Sequence, residues 1–245
     1  MKILLQNFCY GSGHSGTLSD YITRPHHLYV QAPLEPLAAL AAQLREIKPD
    51  VVAVTELDLG ESFRTKKHNP ADLFRAFGYH TMIAAQKYDP NGLWAKTPIY
   101  KTQGNGIFSR VEPRSHAFHY LSSGIKRLVI EAGFKDGIHL FLVHLAISRV
   151  ARKKQLEEIR ELIKPHKHVI LLGDFNTFGH PEDLEPLMRA GKLRSLNVNH
   201  EPTYPSAKPR LELDYILVSP TIRVKHFAVL PTYIADHLPL LVEIA

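Results

Sequence analysis

The 245-residue chain has a single cysteine, Cys9, one tryptophan and three methionines. One cysteine excludes a disulfide framework, a cysteine-based zinc ribbon and a CxxC redox motif, and it gives no sign of an oxidising compartment. Long apolar runs are missing as well. No stretch approaches the ~18 consecutive apolar residues of a membrane span. The opening MKILLQNFCY has three apolar residues between Lys2 and Gln6, too few for the core of a signal peptide. A cytoplasmic protein without an integral membrane segment is the expectation. No internal repeat and no Gly/Ser-rich or Pro-rich linker divides the sequence, so a single domain over residues 1–245, acting as a monomer, is expected.

What is present is an ordinary globular composition with a basic balance. Hydrophobic residues make up 44% of the chain, enough for a sizeable core. Thirty Lys and Arg against 24 Asp and Glu give a net charge of +6. That sign favours polyanionic partners such as nucleic acid or phosphoesters, although a net charge of about 2–8 also suits any small domain for solubility alone. The 15 histidines are a high count, most of them expected on the surface or in the core.

Short β-type runs alternate with helical stretches. Strands are expected at Lys2–Phe8, Val51–Thr55, Gly106–Ser109, Lys126–Phe134, His139–Leu145, Val169–Leu172, Leu213–Val218, Ile222–Val229 and Leu240–Ile244. Helices are expected at Leu34–Ile47, at Arg149–Ile163 and over Pro181–Ala190. A shorter one should follow Asn69, with Pro70 at its first position and Gly78 past its end. Continuous apolar runs such as Val51–Thr55 imply strands buried on both faces. Strands outnumber helices and many adjoin in sequence, which suits a β-sandwich with helices on its outer faces rather than a simple βαβ alternation. The stretch Gly11–Pro33 reads as a loop. Its Gly11-Ser12-Gly13-His14-Ser15-Gly16 matches GxGxxG, but no helical period follows and Pro25 interrupts, so a dinucleotide site is a distant second reading.

Polar residues cluster at or just after the ends of the buried runs. Gln6-Asn7 ends the first and Glu56 the second. His144 ends another, where a lone histidine is more often a satisfied core residue. Asp174 and Asn176 of Gly173-Asp174-Phe175-Asn176 either point together into a site or close the strand as an Asx-turn. Asp236-His237 is either a ligand and acid/base pair or a polar turn. Asp214, inside the apolar run Leu213–Leu217, is costly to bury without a partner, and a histidine is the natural one. Sheets gather such strand ends at one rim, where sites are commonly built.

The order Asn7, Thr55-Glu56, Gly104-Asn105-Gly106-Ile107, His144-Leu145, Gly173-Asp174-Phe175-Asn176, Leu213-Asp214-Tyr215, Asp236-His237-Leu238-Pro239 resembles the endonuclease/exonuclease/phosphatase superfamily. The match runs from Asn7 to Pro239, and His144 to Ile159 looks like its bacterial branch. The resemblance implies an α/β fold, a four-layer α/β/β/α sandwich of two mostly antiparallel sheets flanked by helices. It implies Mg²⁺- or Mn²⁺-dependent hydrolysis of a phosphoester by in-line attack of water. Carried over by position, Asn7 and Glu56 bind metal and Asp236 is a second acid near it. Asp174 orients or deprotonates the water and Asn176 contacts the phosphoryl oxygens. His237 is the catalytic histidine, Asp214 its carboxylate partner, and His144 can protonate the leaving group. Thr55 and Ala235 depart from the family's frequent Gln and Ser, and the latter removes a hydrogen bond near His237. A nuclease acting on DNA or RNA is the first expectation for substrate. A phosphatase or phospholipid phosphodiesterase is the alternative, and an inactive binding module is a third reading. The basic cluster Arg149, Arg152, Lys153 and Lys154 reads as a solvated helix face, and no basic loop interleaved with aromatics is evident. Specificity is expected from the loops Gly11–Pro33, Leu57–Asn69, Gln86–Gln103 and Asn197–Arg210.

Overall fold

The computed structural model describes residues 1–60, 64–65, 69–89, 91–98 and 100–245. Parts of the expected specificity loops Leu57–Asn69 and Gln86–Gln103 therefore lie outside the described residues.

In chain order the elements are β1 (Lys2–Asn7), α1 (Leu18–Thr23), α2 (His26–Tyr29), α3 (Glu35–Ile47), β2 (Val51–Asp58), α4 (Pro70–Ala76), β3 (Thr81–Gln86), β4 (Gln103–Ser109), β5 (Ser115–Tyr120), β6 (Leu128–Gly133) and β7 (Ile138–His144). They continue with α5 (Arg149–Ile163), β8 (His168–Asp174), α6 (Glu185–Gly191), β9 (Arg194–Ser195), β10 (Asp214–Val218), β11 (Val224–Val229) and β12 (Leu240–Ile244). Two six-stranded sheets result, ordered β11-β12-β1-β2-β4-β3 and β5-β6-β7-β8-β10-β9. Each has one parallel pair at its centre, β1 with β2 and β7 with β8, among antiparallel neighbours. Parallel neighbours end on the same side, so Asn7 pairs with Thr55 and His144 with Asp174 at the ends of their ladders.

The alternation of side chains along each strand builds the layers. Ile3 and Leu5 of β1 meet Leu140, Leu142, Ile170 and Leu172 between the sheets. Leu4, Val52 and Val54 face the other way, onto Leu40 and Leu44 of α3 and Phe74 of α4. On the far side, Phe141, Val143, Val169 and Leu171 pack under Leu156, Ile159 and Ile163 of α5 and Leu187 of α6. The order of layers is helix, sheet, sheet, helix. Asn69 caps α4 by accepting from the Ala71 N–H at 2.8 Å, with Pro70 following.

Three expectations are corrected. The stretch Gly11–Pro33 holds two short helices rather than loop throughout. Thr17 caps α1 by accepting from the Asp20 N–H, and α2 follows directly after Pro25. Strands β3, β5 and the two-residue β9 are additional; all three lie at sheet edges, β3 half-buried and β5 mostly exposed, so they lack a buried run. Arg152 does not belong to a solvated face. It is 1% exposed, with its guanidinium on the carbonyls of Ala146, Ile147 and Thr177 and 3.3 Å from Asp183 Oδ2.

Candidate active site

Glu56 is aimed by a defect in its own strand. The β2–β4 ladder runs from Val54↔Gly106 to Leu57↔Gly104, so Thr55 and Glu56 together face Asn105. Glu56 takes φ +53° at this bulge, and its N–H donates to Asn105 Oδ1 at 3.2 Å. Bulges re-aim side chains in this way. Asn105, fully buried, is thus a positioning residue that the motif order contained without revealing its task. Asn7 joins the two sheets: its Nδ2 donates to Asp174 Oδ2 at 3.3 Å, while the Cys9 N–H donates to its Oδ1 at 3.1 Å.

From the second sheet come Asp174 and Asn176. Gly173 precedes them at φ +144°, where a Cβ would stand 1.9 Å from the Val143 carbonyl oxygen. Only glycine lets β8 approach β7 this closely. The Asn176 N–H donates to Asp174 Oδ1 at 2.9 Å and its Nδ2 to the Leu145 carbonyl at 2.9 Å. The Asx-turn and the site are therefore the same feature. His144 Nε2 lies 3.3 Å from Asp174 Oδ2. Asp214 is opposite Asp174 in the β8–β10 ladder. Its Oδ2 accepts from Thr203 Oγ1 at 2.6 Å and is 2.7 Å from His237 Nδ1. Asp236 accepts from the Tyr21 hydroxyl at 3.0 Å through Oδ2. Beside the Ala235 departure, the Ser206 hydroxyl donates to the Ala235 carbonyl at 2.6 Å, so this turn is still fastened.

Asn7, Glu56, Asp174, Asn176, Asp236 and His237 line one cavity of about 330 Å³. His144 and Asp214 stand one layer behind, His144 against Asp174 and Asp214 against His237. Two lysines missed by the sequence reading share the cavity. Lys126 contacts His144 Nε2 and lies 3.5 Å from Glu56 Oε1. Lys87, 2% exposed, contacts the Tyr10 hydroxyl and lies 3.9 Å from the same Glu56 oxygen. Aromatic walls come from Tyr10, Tyr21, Tyr29, Tyr88, Tyr100 and Tyr204. Tyr21 and Tyr29 come from the stretch Gly11–Pro33, and Tyr88 and Tyr100 from Gln86–Gln103, where Lys87 stands beside them, so a basic stretch interleaved with aromatics does reach the cavity.

Burial alone would lower the His237 imidazole, but the Asp214 carboxylate, aided by Asp174 and Asp236, lifts it to about 10. The ring is charged at neutral pH. Burial raises the Asp174 carboxyl; His237 opposes this and Asp214 adds to it. Burial also raises Glu56, against the pull of Lys126 and with a push from Asp236. His144 is held well below its ordinary value by burial and by the Lys126 charge, and Lys87 is lowered by burial and the same neighbour.

The donor set fits a divalent cation. Asn7, Glu56 and Asp236 offer oxygens, as hard cations require, and Asp236 Oδ1 is buried with no hydrogen-bond partner among the described residues. The Asp236 charge pushes against Glu56 and so favours added positive charge, beyond the Lys126 and Lys87 ammonium groups already near its Oε1. Asp174, Asp214 and His237 converge too, with ligand atoms within 4.8 Å of one another; here Asp214 Oδ2 also holds His237 and Thr203.

Paired sheets between helices, with amide, carboxylate and imidazole groups at their common rim, define a metal-dependent hydrolase of phosphoester bonds. The chain belongs to the Endonuclease/Exonuclease/phosphatase family, whose model matches residues 18–237. Among curated proteins no match is found. Solved structures of similar fold include a mannosyl-6-phosphatase from Bacteroides thetaiotaomicron (17% identity, TM-score 0.72, 100% of this chain and 99% of that one). A functionally unknown conserved protein from Enterococcus faecalis is similar too (19% identity, TM-score 0.70, 100% and 99%). So is a 3' phosphatase from Neisseria bound to a product DNA hairpin (19% identity, TM-score 0.62, 100% and 99%). At these identities the likeness carries the fold.

Proposed function

We propose that the chain hydrolyses a terminal phosphoester, a phosphomonoester on a small organic group or at the end of a longer molecule. The observation that carries this reading is the cavity itself. Its volume of about 330 Å³ lies at the small end of the roughly 300–1,000 Å³ of small-molecule sites. Lys126 on its wall suits the second negative charge that a monoester carries and an internal diester lacks, and Lys87 beside it can donate a hydrogen bond. The tyrosine walls suit stacking of a sugar or a base on the group that bears the phosphate. Arg149, Arg152 and Lys153, the cluster that would otherwise suit a polynucleotide backbone, all lie within 3.5 Å of Asp183 oxygens. A nuclease, the first expectation from the sequence, becomes the second reading, favoured by the net charge of +6; the cavity would admit a strand end.

In this reading Asn7, Glu56 and Asp236 hold Mg²⁺ or Mn²⁺, which when bound polarises the phosphoryl oxygen and offsets developing charge. The protein groups do the rest. Asp174 Oδ2, within reach of Asn7, His144 and His237, orients the attacking water and takes its proton. His237, charged and fixed by Asp214, faces the phosphoryl group with its Nε2 and stabilises the transition state. Asn176 offers its amide to a phosphoryl oxygen. His144, outside the cavity wall and against Lys126, acts as that lysine's acceptor and places its ammonium beside the phosphate. The resemblance gives His144 the leaving-group proton instead, and its Nε2 lies 3.3 Å from Asp174 Oδ2 and 3.8 Å from Glu56 Oε1, both on the cavity wall.

The test is a hydrolysis panel with Mg²⁺ and with Mn²⁺: sugar and nucleoside monophosphates, oligonucleotides with terminal phosphates, internal diesters and closed circular plasmid. The expected result is phosphate release from monoesters and chain ends. Nicking of circular plasmid at a comparable rate, with monoesters untouched, would overturn it.

A further inference from the structure

A second cluster of ligand-type side chains lies away from this cavity, on the face of the second sheet that carries α5. Glu131 of β6 is its hub. His139 Nδ1 of β7 is 2.7 Å from Glu131 Oε1, and His166 Nε2, in the turn from α5 to β8, is 3.4 Å from the same oxygen. His119 Nε2 of β5 is 2.8 Å from Glu131 Oε2. The ligand atoms of Glu131, His139 and His166 all lie within 4.8 Å of one another. Each of the four side chains is between 14% and 29% exposed, shielded yet open to an ion from solvent.

We propose that this cluster is a transition-metal site, with Zn²⁺ the fitting ion. Two imidazoles and a carboxylate are borderline-soft donors, unlike the oxygen set of the cavity. Tetrahedral coordination with bonds of about 2.0–2.2 Å puts ligand atoms about 3.3–3.5 Å apart. The present separations of 2.7 and 3.4 Å from Glu131 Oε1 need a shift of about half an ångström to receive the ion. His139 and His166 are packed ring to ring at 3.8 Å, so their ring positions are set by each other as well as by Glu131. His119, on the other carboxylate oxygen, is a further imidazole beside the cluster. A bound ion would fasten the end of α5 to the middle of the sheet. The site is distinct from the catalytic one: His139 and His144 are five residues apart on β7, about 16 Å along the strand.

The experiment uses the full, tag-free chain stripped with chelator and titrated with Zn²⁺ in the presence of excess Mg²⁺. Binding is followed by equilibrium dialysis, thermal melting and, with Co²⁺ as probe, the visible absorption of a tetrahedral site. One Zn²⁺ equivalent is expected in the wild type and in Glu56→Gln, with a raised melting temperature in both. In His139→Gln and in His166→Asn that equivalent should weaken at least tenfold and the thermal shift should vanish. Mg²⁺-supported hydrolysis should persist in these two variants, which shows that they fold. Unchanged Zn²⁺ stoichiometry in both histidine variants, or its loss in Glu56→Gln alone, would overturn the proposal.

Discussion

Asp214→Asn removes one charge from the buried pair with His237 while keeping its shape, and it separates a catalytic dyad from a structural polar contact. Lifting an imidazole from 6.5 to about 10 corresponds to roughly 5 kcal/mol in favour of the charged ring, at 1.36 kcal/mol per pH unit. Asp214 supplies most of the upward pull, and burial opposes it. Without that carboxylate the ring should titrate near or below its ordinary value, because burial then faces only Asp174 and Asp236. The expected loss in kcat at pH 8 is on the order of 10²–10⁴, by analogy with other carboxylate-held histidines. That is about 2.7–5.5 kcal/mol, consistent with the electrostatic figure. The assay is the pH–rate profile at saturating metal, in which the basic limb should move from near pH 10 toward neutrality. Stability should respond in the same direction. A histidine whose value is raised on folding contributes fully below its unfolded 6.5 and loses that contribution as pH rises through about 10. The wild type should therefore weaken over that window and Asp214→Asn should show a flatter curve. The double variant Asp214→Asn/His237→Ala should cost little more than either single change, since groups that act as a unit are non-additive. An unmoved basic limb, or single losses that simply multiply in the double variant, would refute the dyad.

Other outcomes follow from the same geometry. Excess chelator should abolish hydrolysis and added Mg²⁺ or Mn²⁺ restore it, whereas full activity in chelator would remove the metal assignment of Asn7, Glu56 and Asp236. Lys126→Met should raise KM for monoesters by about ten- to a hundredfold, the worth of a hydrogen bond to a charged group, while a diester with one negative charge should be affected less. Arg152→Met leaves Asp183 beside Arg149 and Lys153 but takes the donor away from the carbonyls of Ala146, Ile147 and Thr177; a buried acceptor left unmade costs about 1–3 kcal/mol, read as a lower denaturation midpoint. Gly173→Ala should fail to give a folded protein or lose more than about 4 kcal/mol, because its Cβ would sit 1.9 Å from the Val143 carbonyl.

Strands buried on both faces were legible because continuous apolar runs leave little choice of environment, and the capped helix after Asn69 because Asn, Pro and Gly each stood at a position that only a helix explains. The edge strands β3 and β5 were not, since β3 is half-buried along nearly its whole length and β5 alternates between exposed and half-buried, neither with a buried run. The GDFN segment was ambiguous for a physical reason: the Asn176 N–H on Asp174 Oδ1 is what holds the carboxylate in the cavity, so turn and site have one signature. Lys87 and Lys126 were invisible, and Asn105 stood in the motif order without a task, because their importance lies in what the fold brings to them. A lysine beside Gln86 or Arg127 looks like any surface cation until the sandwich closes it over Glu56. Arg152 was misread for the converse reason. Helical spacing put it on a polar face, but the turns after β7 and β8 reach across and cover it.

The return of β11 and β12 to the first sheet has a consequence for the chain as a covalent object. A single cut at the exposed Glu112, between β4 and β5, would leave one piece with β1 to β4 and another with all of the second sheet. The second piece also carries β12, whose Leu240–Glu243 lie in register with Leu5–Lys2 of the first. The two pieces would be clasped by an exchanged strand as well as by the shared core. Asn7 and Glu56 would sit on one, and Asp174, Asp214, Asp236 and His237 on the other. Hydrolysis would then report reassembly: each fragment silent alone, the mixture active, with the break itself far from any group that touches the phosphate.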